Sequence, residues 1–295
     1  MSVTVGEVVL RRYIGRRLAK LREAAELTQK QAALATQKGV STIARMESGD
    51  LGIRFRDVDV NLFLDVYHAD PDERQRLLAY TAETRNGART KQWWEAYRED
   101  MPEWFALYVI LEDSARTIRE YQSELIPGLL QTREYFEKFT RTDGALDDAV
   151  VERRVEIRLE RQGLLQRDQA PHLHVILNEA AIRRPVGGPD VMTAQLEHLL
   201  RMSDRDNITI RILPFSAGEH GGMGGPFILL DFPVDANGEQ LEPPIAYVDT
   251  LTGSMYMSKP EEARDYDAVW NDLGAKALDE AESRQLIIST MEGFQ

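Results

Sequence analysis

The sequence predicts an α+β protein, with an N-terminal all-α head of five helices followed by a mixed α/β domain. Three observations carry this. Apolar residues of the first eighty positions recur at helical spacing, whereas the last third holds short β-branched runs bounded by Gly, Pro, Asn and Asp. Between them Glu83-Thr84-Arg85-Asn86-Gly87-Ala88-Arg89-Thr90 turns polar. At 295 residues the chain exceeds one ordinary domain. The reading is therefore a head over 1–82, a connector over 83–91 and a second domain over 92–295.

Ile14, Leu18, Leu21 and Ala25 form the apolar stripe of the first helix. Thr28 reads as an N-cap to Gln29–Ala35, a run of strong helix formers. Gln37-Lys38-Gly39 interrupts, and Val40–Ser48 resumes a helix whose apolar face is Ile43 and Met46, with Gly49 suited to a left-handed stop. A basic loop, Gly52–Arg56, precedes Asp57 as a cap and a helix containing Val58, Leu62, Phe63, Val66 and Tyr67. Asp70-Pro71-Asp72-Glu73 opens the fifth helix with an acidic first turn.

Beyond the connector, the aromatics Trp93, Trp94, Tyr97, Trp104, Phe105 and Tyr108 read as core at the start of the second domain. Helices are predicted over Leu107–Glu120, about Thr132–Arg141 and 148–167, the last with a Val151/Val155/Leu159 stripe between acidic and basic rows. Leu173–Leu177, Ile208–Leu213, Phe227–Phe232 and Ile245–Val248 read as strands. Helical spacing returns over Pro189–Met202, Asp265–Leu273 and Ala281–Ile288.

The chain is 43% hydrophobic and 29% charged, and no apolar run nears the roughly 18 residues of a membrane span. With no cysteine and no basic, cleavable leader in Met1–Glu7, the expected compartment is the cytoplasm. Net charge is −13, yet residues 1–56 hold eleven Lys/Arg against five Asp/Glu, a net of +6 that leaves −19 for the remainder. A basic head on an acidic body fits one that touches DNA while the body is repelled.

Residues 28–47 resemble the XRE-type helix-turn-helix of the phage-repressor class. Thr28-Gln29 opens helix two, Ala32 and Ala33 let two helices approach, and Ile43, Arg45 and Glu47 stand at the family's Ile-x-Arg-x-Glu, with Gly49 following. The resemblance implies that helix two braces across the backbone while helix three enters the major groove. Val40, Ser41, Thr42, Ala44 and Arg45 are then the expected base contacts. Gln29, Lys38, Arg54 and Arg56 are the expected phosphate contacts, and Arg22 with Glu47 a structural ion pair. The chain departs from the pattern at Gln37 and Glu26, where the family favours Gly, and at Gly39, where it favours a Ser/Thr cap.

The rest resembles an actinobacterial family in which such a head precedes a domain of unknown function and whose members are antitoxin-like transcriptional regulators. Trp93-Trp94 with Tyr97, Leu125–Thr132, Arg183–Gly188, Ile212–Phe215, Gly224–Phe227 and Tyr247-Val248-Asp249 carry it. It implies a DNA-binding regulator, here expected to dimerise, with a small protein encoded nearby as partner. The alternative is a regulator whose second domain senses a small-molecule effector.

Other chemistry is thin. His172-x-His174 places two imidazoles on one strand face without a third ligand, so no metal is expected. Gly218–Pro226 is glycine-rich but precedes a strand rather than a helix, which argues for a connection over a phosphate cradle. No nucleophile elbow or triad signature is present, so neither catalytic residues nor a cofactor are expected.

Overall fold

A computed structural model describes residues 6–87, 93–97, 99–144, 146–235 and 237–294. It divides into two compact units: Met1–Gln92 joined by Phe232–Glu242, and Trp93–Asp231 with Pro243–Gln295. The α+β reading holds, with a helical first unit and a mixed sheet with helices in the second.

The first unit contains α1 (Glu7–Ala24), α2 (Gln29–Thr36), α3 (Val40–Glu47), α4 (Asp57–Val66) and α5 (Pro71–Gly87). Helix α1 begins about two turns earlier than the apolar stripe suggests, since Val8, Val9 and Leu10 are also buried. Ile14, Leu18, Ala32, Ile43, Met46, Phe63, Leu64 and Leu77 fill the core. Helix α5 runs on to Gly87, into the polar stretch read as a connector, while 88–91 of that stretch lie outside the described residues.

The ends of the first four helices repeat one device. After α1, α2, α3 and α4 the chain passes through a left-handed residue, Glu26 (φ 57°), Gln37 (φ 54°), Gly49 (φ 70°) and His68 (φ 54°). Each is followed by an amide that reaches back five residues: Leu27 to Arg22, Lys38 to Ala33, Asp50 to Arg45 and Ala69 to Leu64. This is the six-to-one bond of a Schellman stop. Only one of the four stops uses glycine, the residue that adopts this backbone without steric cost.

The second unit is built on a six-stranded sheet ordered β3-β2-β1-β4-β5-β6, comprising β1 (Thr117–Gln122), β2 (His172–Asn178), β3 (Ile208–Leu213), β4 (Phe227–Asp231), β5 (Ile245–Thr250) and β6 (Gly253–Met257). β1, β2 and β3 pair in parallel, and β4 joins β1 antiparallel and continues antiparallel through β5 and β6. Helices α6 (Glu103–Asp113), α7 (Arg133–Thr140), α8 (Asp148–Gln162), α9 (Glu179–Arg183), α10 (Pro189–Met202), α11 (Pro260–Lys276) and α12 (Glu280–Glu292) complete it. One core gathers Tyr121, Ile176, Leu213, Phe227, Leu229 and Ala246 from the strands against Leu273 and Ala277.

One expectation is overturned. The helix read over Leu107–Glu120 stops at Asp113, and Thr117–Gln122 is instead the central strand. Arg119 and Glu120 give that segment a helical, surface-like composition. Arg119 is in fact paired with Asp231 (2.9 Å) and Asp267, and Glu120 is buried with its Oε1 accepting from Gln122 at 2.8 Å. Partners more than a hundred residues away neutralise the arginine, so no local pattern shows the strand. The Val151/Val155/Leu159 stripe is likewise spent internally, because Val151 and Val155 pack on Phe136 and only Leu159 remains exposed.

Candidate nucleic-acid interface

Helix α2 is started by a full capping box: the Thr28 hydroxyl accepts from the Gln31 amide at 3.2 Å, and the Thr28 amide donates to Gln31 Oε1 at 2.9 Å. Ala32 and Ala33 are buried, leaving room for α3 to pack against α2. Helix α3 then turns Ile43 and Met46 inward. Val40, Ser41 and Arg45 are exposed, while Thr42 and Ala44 are partly covered at the margin. Gly39 caps α3 with no side-chain bond, so the first amides of that helix have no partner from a cap side chain.

Beneath this surface sits an ion pair. Arg22 Nε donates to Glu47 Oε1 at 2.6 Å and Nη2 to Oε2 at 3.1 Å, both side chains nearly buried. Arg22 also donates to the Leu27 carbonyl at 2.7 Å, and Gln29 Nε2 donates to Glu47 Oε2 at 2.8 Å. The end of α1, the start of α2 and the end of α3 thus meet on one carboxylate. Burial, helped by that carboxylate, pushes the neighbouring Tyr67 phenol up to about 12.

Two cations on this side are held by acids the sequence reading passed over. Arg45 Nη2 donates to Asp50 Oδ1 at 2.9 Å, and Lys38 Nζ donates to Asp59 Oδ1 at 2.6 Å. The bonds from Arg45 and from the Gly52 amide (2.8 Å) hold the Asp50 carboxyl below the usual range. Arg54 and Arg56 are exposed, and their side chains make no hydrogen bond or ion pair among the described residues. Asp50 lies five residues after Arg45 and Asp59 twenty-one after Lys38, in the first turn of α4, and neither spacing marks an ion pair in the sequence.

Elsewhere, His172 and His174 stack with ring centres 6.4 Å apart, and no three His, Asp or Glu side chains form a metal-ligating group among the described residues. The glycine-rich segment is bound to α11. The Gly221 amide donates to Asp272 at 2.8 Å, Lys276 donates to the Glu219 carbonyl at 2.8 Å, and Gly222 lies on the Tyr121 ring, where a Cβ would come within 2.6 Å. An anionic carboxylate occupies the amide a phosphate would need. Among the described residues no helix is long and apolar enough to cross a membrane.

Residues 14–77 match a family model described as a helix-turn-helix domain, and residues 105–289 match one described as a domain of unknown function, DUF5753. No curated protein and no solved structure gives a match. The helix-turn-helix points to a DNA-binding regulator rather than an enzyme.

Proposed function

The chain belongs to the DUF5753 family and carries a helix-turn-helix domain ahead of that region, and on this premise we propose that it is a sequence-specific, dimeric transcription regulator of the antitoxin-like kind. The observation that supports it best is the construction around α3: an exposed face of Val40, Ser41 and Arg45 on a helix whose far end is fixed by Arg22, Glu47 and Gln29. A groove-reading helix must be rigid relative to the helix that crosses the backbone.

In this reading Arg45 takes a guanine edge with its planar fork, Val40 and Ala44 meet thymine methyls, and Ser41 and Thr42 supply hydroxyls. Arg54 and Arg56 take phosphates, Lys38 exchanges Asp59 for one, and Gln29 contributes its backbone amide at the start of α2 because its side chain is bound to Glu47. A homodimer sets two α3 helices in successive major grooves, with half-sites about 10 bp or a multiple apart. The second unit serves dimerisation and the binding of a small partner protein. A cytoplasmic location follows from the DNA target.

Selection of duplexes from a random pool, followed by anisotropy titrations, tests it. Arg45→Ala lowers discrimination at one base position by about 1–3 kcal/mol, whereas Arg54→Ala weakens all duplexes alike and flattens the salt slope. Equal losses on cognate and random DNA for both variants would reject these roles. A second reading, a head that answers a small molecule, is favoured by one observation, a cavity of about 630 Å³ inside the second unit.

A further inference from the structure

The cavity is walled by the aromatic rings of Trp104, Phe105, Phe136 and Phe139, and its charged lining is three carboxylates, Glu99, Asp100 and Asp249, and three arginines, Arg154, Arg158 and Arg161. Its volume of about 630 Å³ lies in the range of small-molecule sites, and its lining sets an apolar, aromatic wall against a charged one.

Two arginines one helical turn apart on α8 behave differently. Arg161 is neutralised: its Nε and Nη2 donate to the two oxygens of Glu112 at 2.6 and 2.7 Å. Arg158 has no carboxylate or carbonyl partner among the described residues, and its guanidinium lies over the Phe136 ring at 4.2 Å. Burial, with Arg161 beside it, pushes the Arg158 guanidinium down to about 9, which leaves it cationic at neutral pH. The group is partly covered, and Glu112 and Glu120 act on it only through space, so its hydrogen-bonding fork is left unspent at a site of reduced solvation.

The fold also makes space for this group. A Cβ on Gly128 would stand 1.8 Å from Arg158 Nη1, so any other residue there displaces the guanidinium. Gly128 belongs to the Leu125–Thr132 stretch, a motif that the DNA-binding reading leaves unused. Gln162 Nε2 fixes its carbonyl at 3.0 Å, which holds the backbone of this turn to α8.

We propose that this cavity binds a monocarboxylic acid with an aromatic or apolar body, its carboxylate on Arg158 and its body between the four rings. One unspent planar fork suits two carboxylate oxygens. A phosphate dianion would seek further donors, and Glu99, Asp100 and Asp249 in the wall oppose a second negative charge. The inference supplies a ligand class for the small-molecule reading and does not depend on DNA binding, since calorimetry reads the cavity and anisotropy reads the head.

The test is calorimetric titration of the full chain with phenylacetate, 4-phenylbutyrate and indole-3-acetate, each beside its uncharged amide, and with inorganic phosphate. At least one acid binds at or below about 1 mM, its amide roughly tenfold more weakly and phosphate not at all. Arg158→Met removes the preference for acid over amide, while its melting temperature without ligand equals or exceeds that of the parent because a stranded cation is gone. Arg158→Lys restores part of the preference. Equal binding of acid and amide, undiminished acid binding by Arg158→Met, or silence of all three acids to about 10 mM overturns the proposal. If Arg158→Met fails to fold, Phe139→Trp narrows the cavity with the charge intact, and full affinity in that variant also overturns it.

Discussion

Arg12 and Glu242, 230 residues apart in sequence, form an ion pair at 2.8 Å inside the first unit, and Glu242 is wholly buried. Arg16 donates to the other Glu242 oxygen and to the Leu241 carbonyl. Nearby, Glu239 accepts from Arg76 at 2.7 Å and from Arg17 at 3.3 Å. The segment Phe232–Glu242 therefore neutralises much of the basic surface of α1, and the net positive charge of residues 1–56 overstates what is open to phosphate. Glu242→Gln keeps one acceptor but sets an amide donor against a guanidinium. The arginines keep partial access to water, so a loss of about 1–3 kcal/mol is expected rather than the larger penalty of a fully buried pair. Urea unfolding of the variant checks this, and no change in midpoint would show that the two arginines are served by water.

Gly15 and Gly49 let α1 lie directly on the end of α3. A Cβ at Gly15 would stand 2.5 Å from the Met46 carbonyl oxygen and 2.6 Å from that of Glu47, and one at Gly49 would stand 2.6 Å from Arg12 Cα. These contacts are backbone, which cannot swing aside. Gly15→Ala is expected to cost about 1–3 kcal/mol and to weaken DNA binding by displacing α3. Gly39→Ser is the control: a Cβ there meets nothing nearer than 3.6 Å, and the hydroxyl can cap α3, so stability should change by only a few tenths of a kcal/mol. Melting curves with anisotropy on the selected duplex separate the two variants.

What the sequence showed and what it hid follow the range of the interactions. The Thr28 cap, the inward Ile43 and Met46, and the strands at 172–178 and 208–213 rest on neighbours a few residues away, and their spacing alone reveals them. The strand at Thr117–Gln122 depends on Asp231 and Asp267, and the charge of α1 depends on Glu239 and Glu242. Long-range charge pairing leaves no periodic trace. At the interface, Arg45 and Lys38 could be read as cations from sequence, but their hold by Asp50 and Asp59 needed the geometry.

Three helix stops of the first unit carry a side chain where glycine is easiest. The left-handed backbone costs an L-residue roughly 1–2 kcal/mol, and glycine returns part of that gain through a more mobile unfolded chain. Gln37 is exposed and its side chain makes no hydrogen bond among the described residues, so Gln37→Gly loses nothing else. The expected result is a gain of about 0.5–1 kcal/mol, read as a higher urea midpoint with unchanged slope. Gln37→Val should move the midpoint the other way, because a β-branched residue resists this conformation.

Glu120 makes the stability of the second unit depend on pH. Its Oε1 accepts from Gln122, its Oε2 has no hydrogen-bond partner, and Glu112, Arg158 and Arg161 surround it electrostatically. Burial dominates and pushes the carboxyl up to about 7. With a folded value above the unfolded one of roughly 4.3, the folded chain holds the extra proton between the two, and stability falls as pH rises through that window. The change amounts to roughly 3–4 kcal/mol once pH exceeds the folded value. Glu120→Gln keeps an oxygen for Gln122 and cannot ionise, so it should remove this decline and stabilise the protein at pH 8 while leaving pH 4.5 nearly unchanged. Denaturant unfolding at both pH values measures it, and a variant whose stability still declines over the same window would place the titrating group elsewhere.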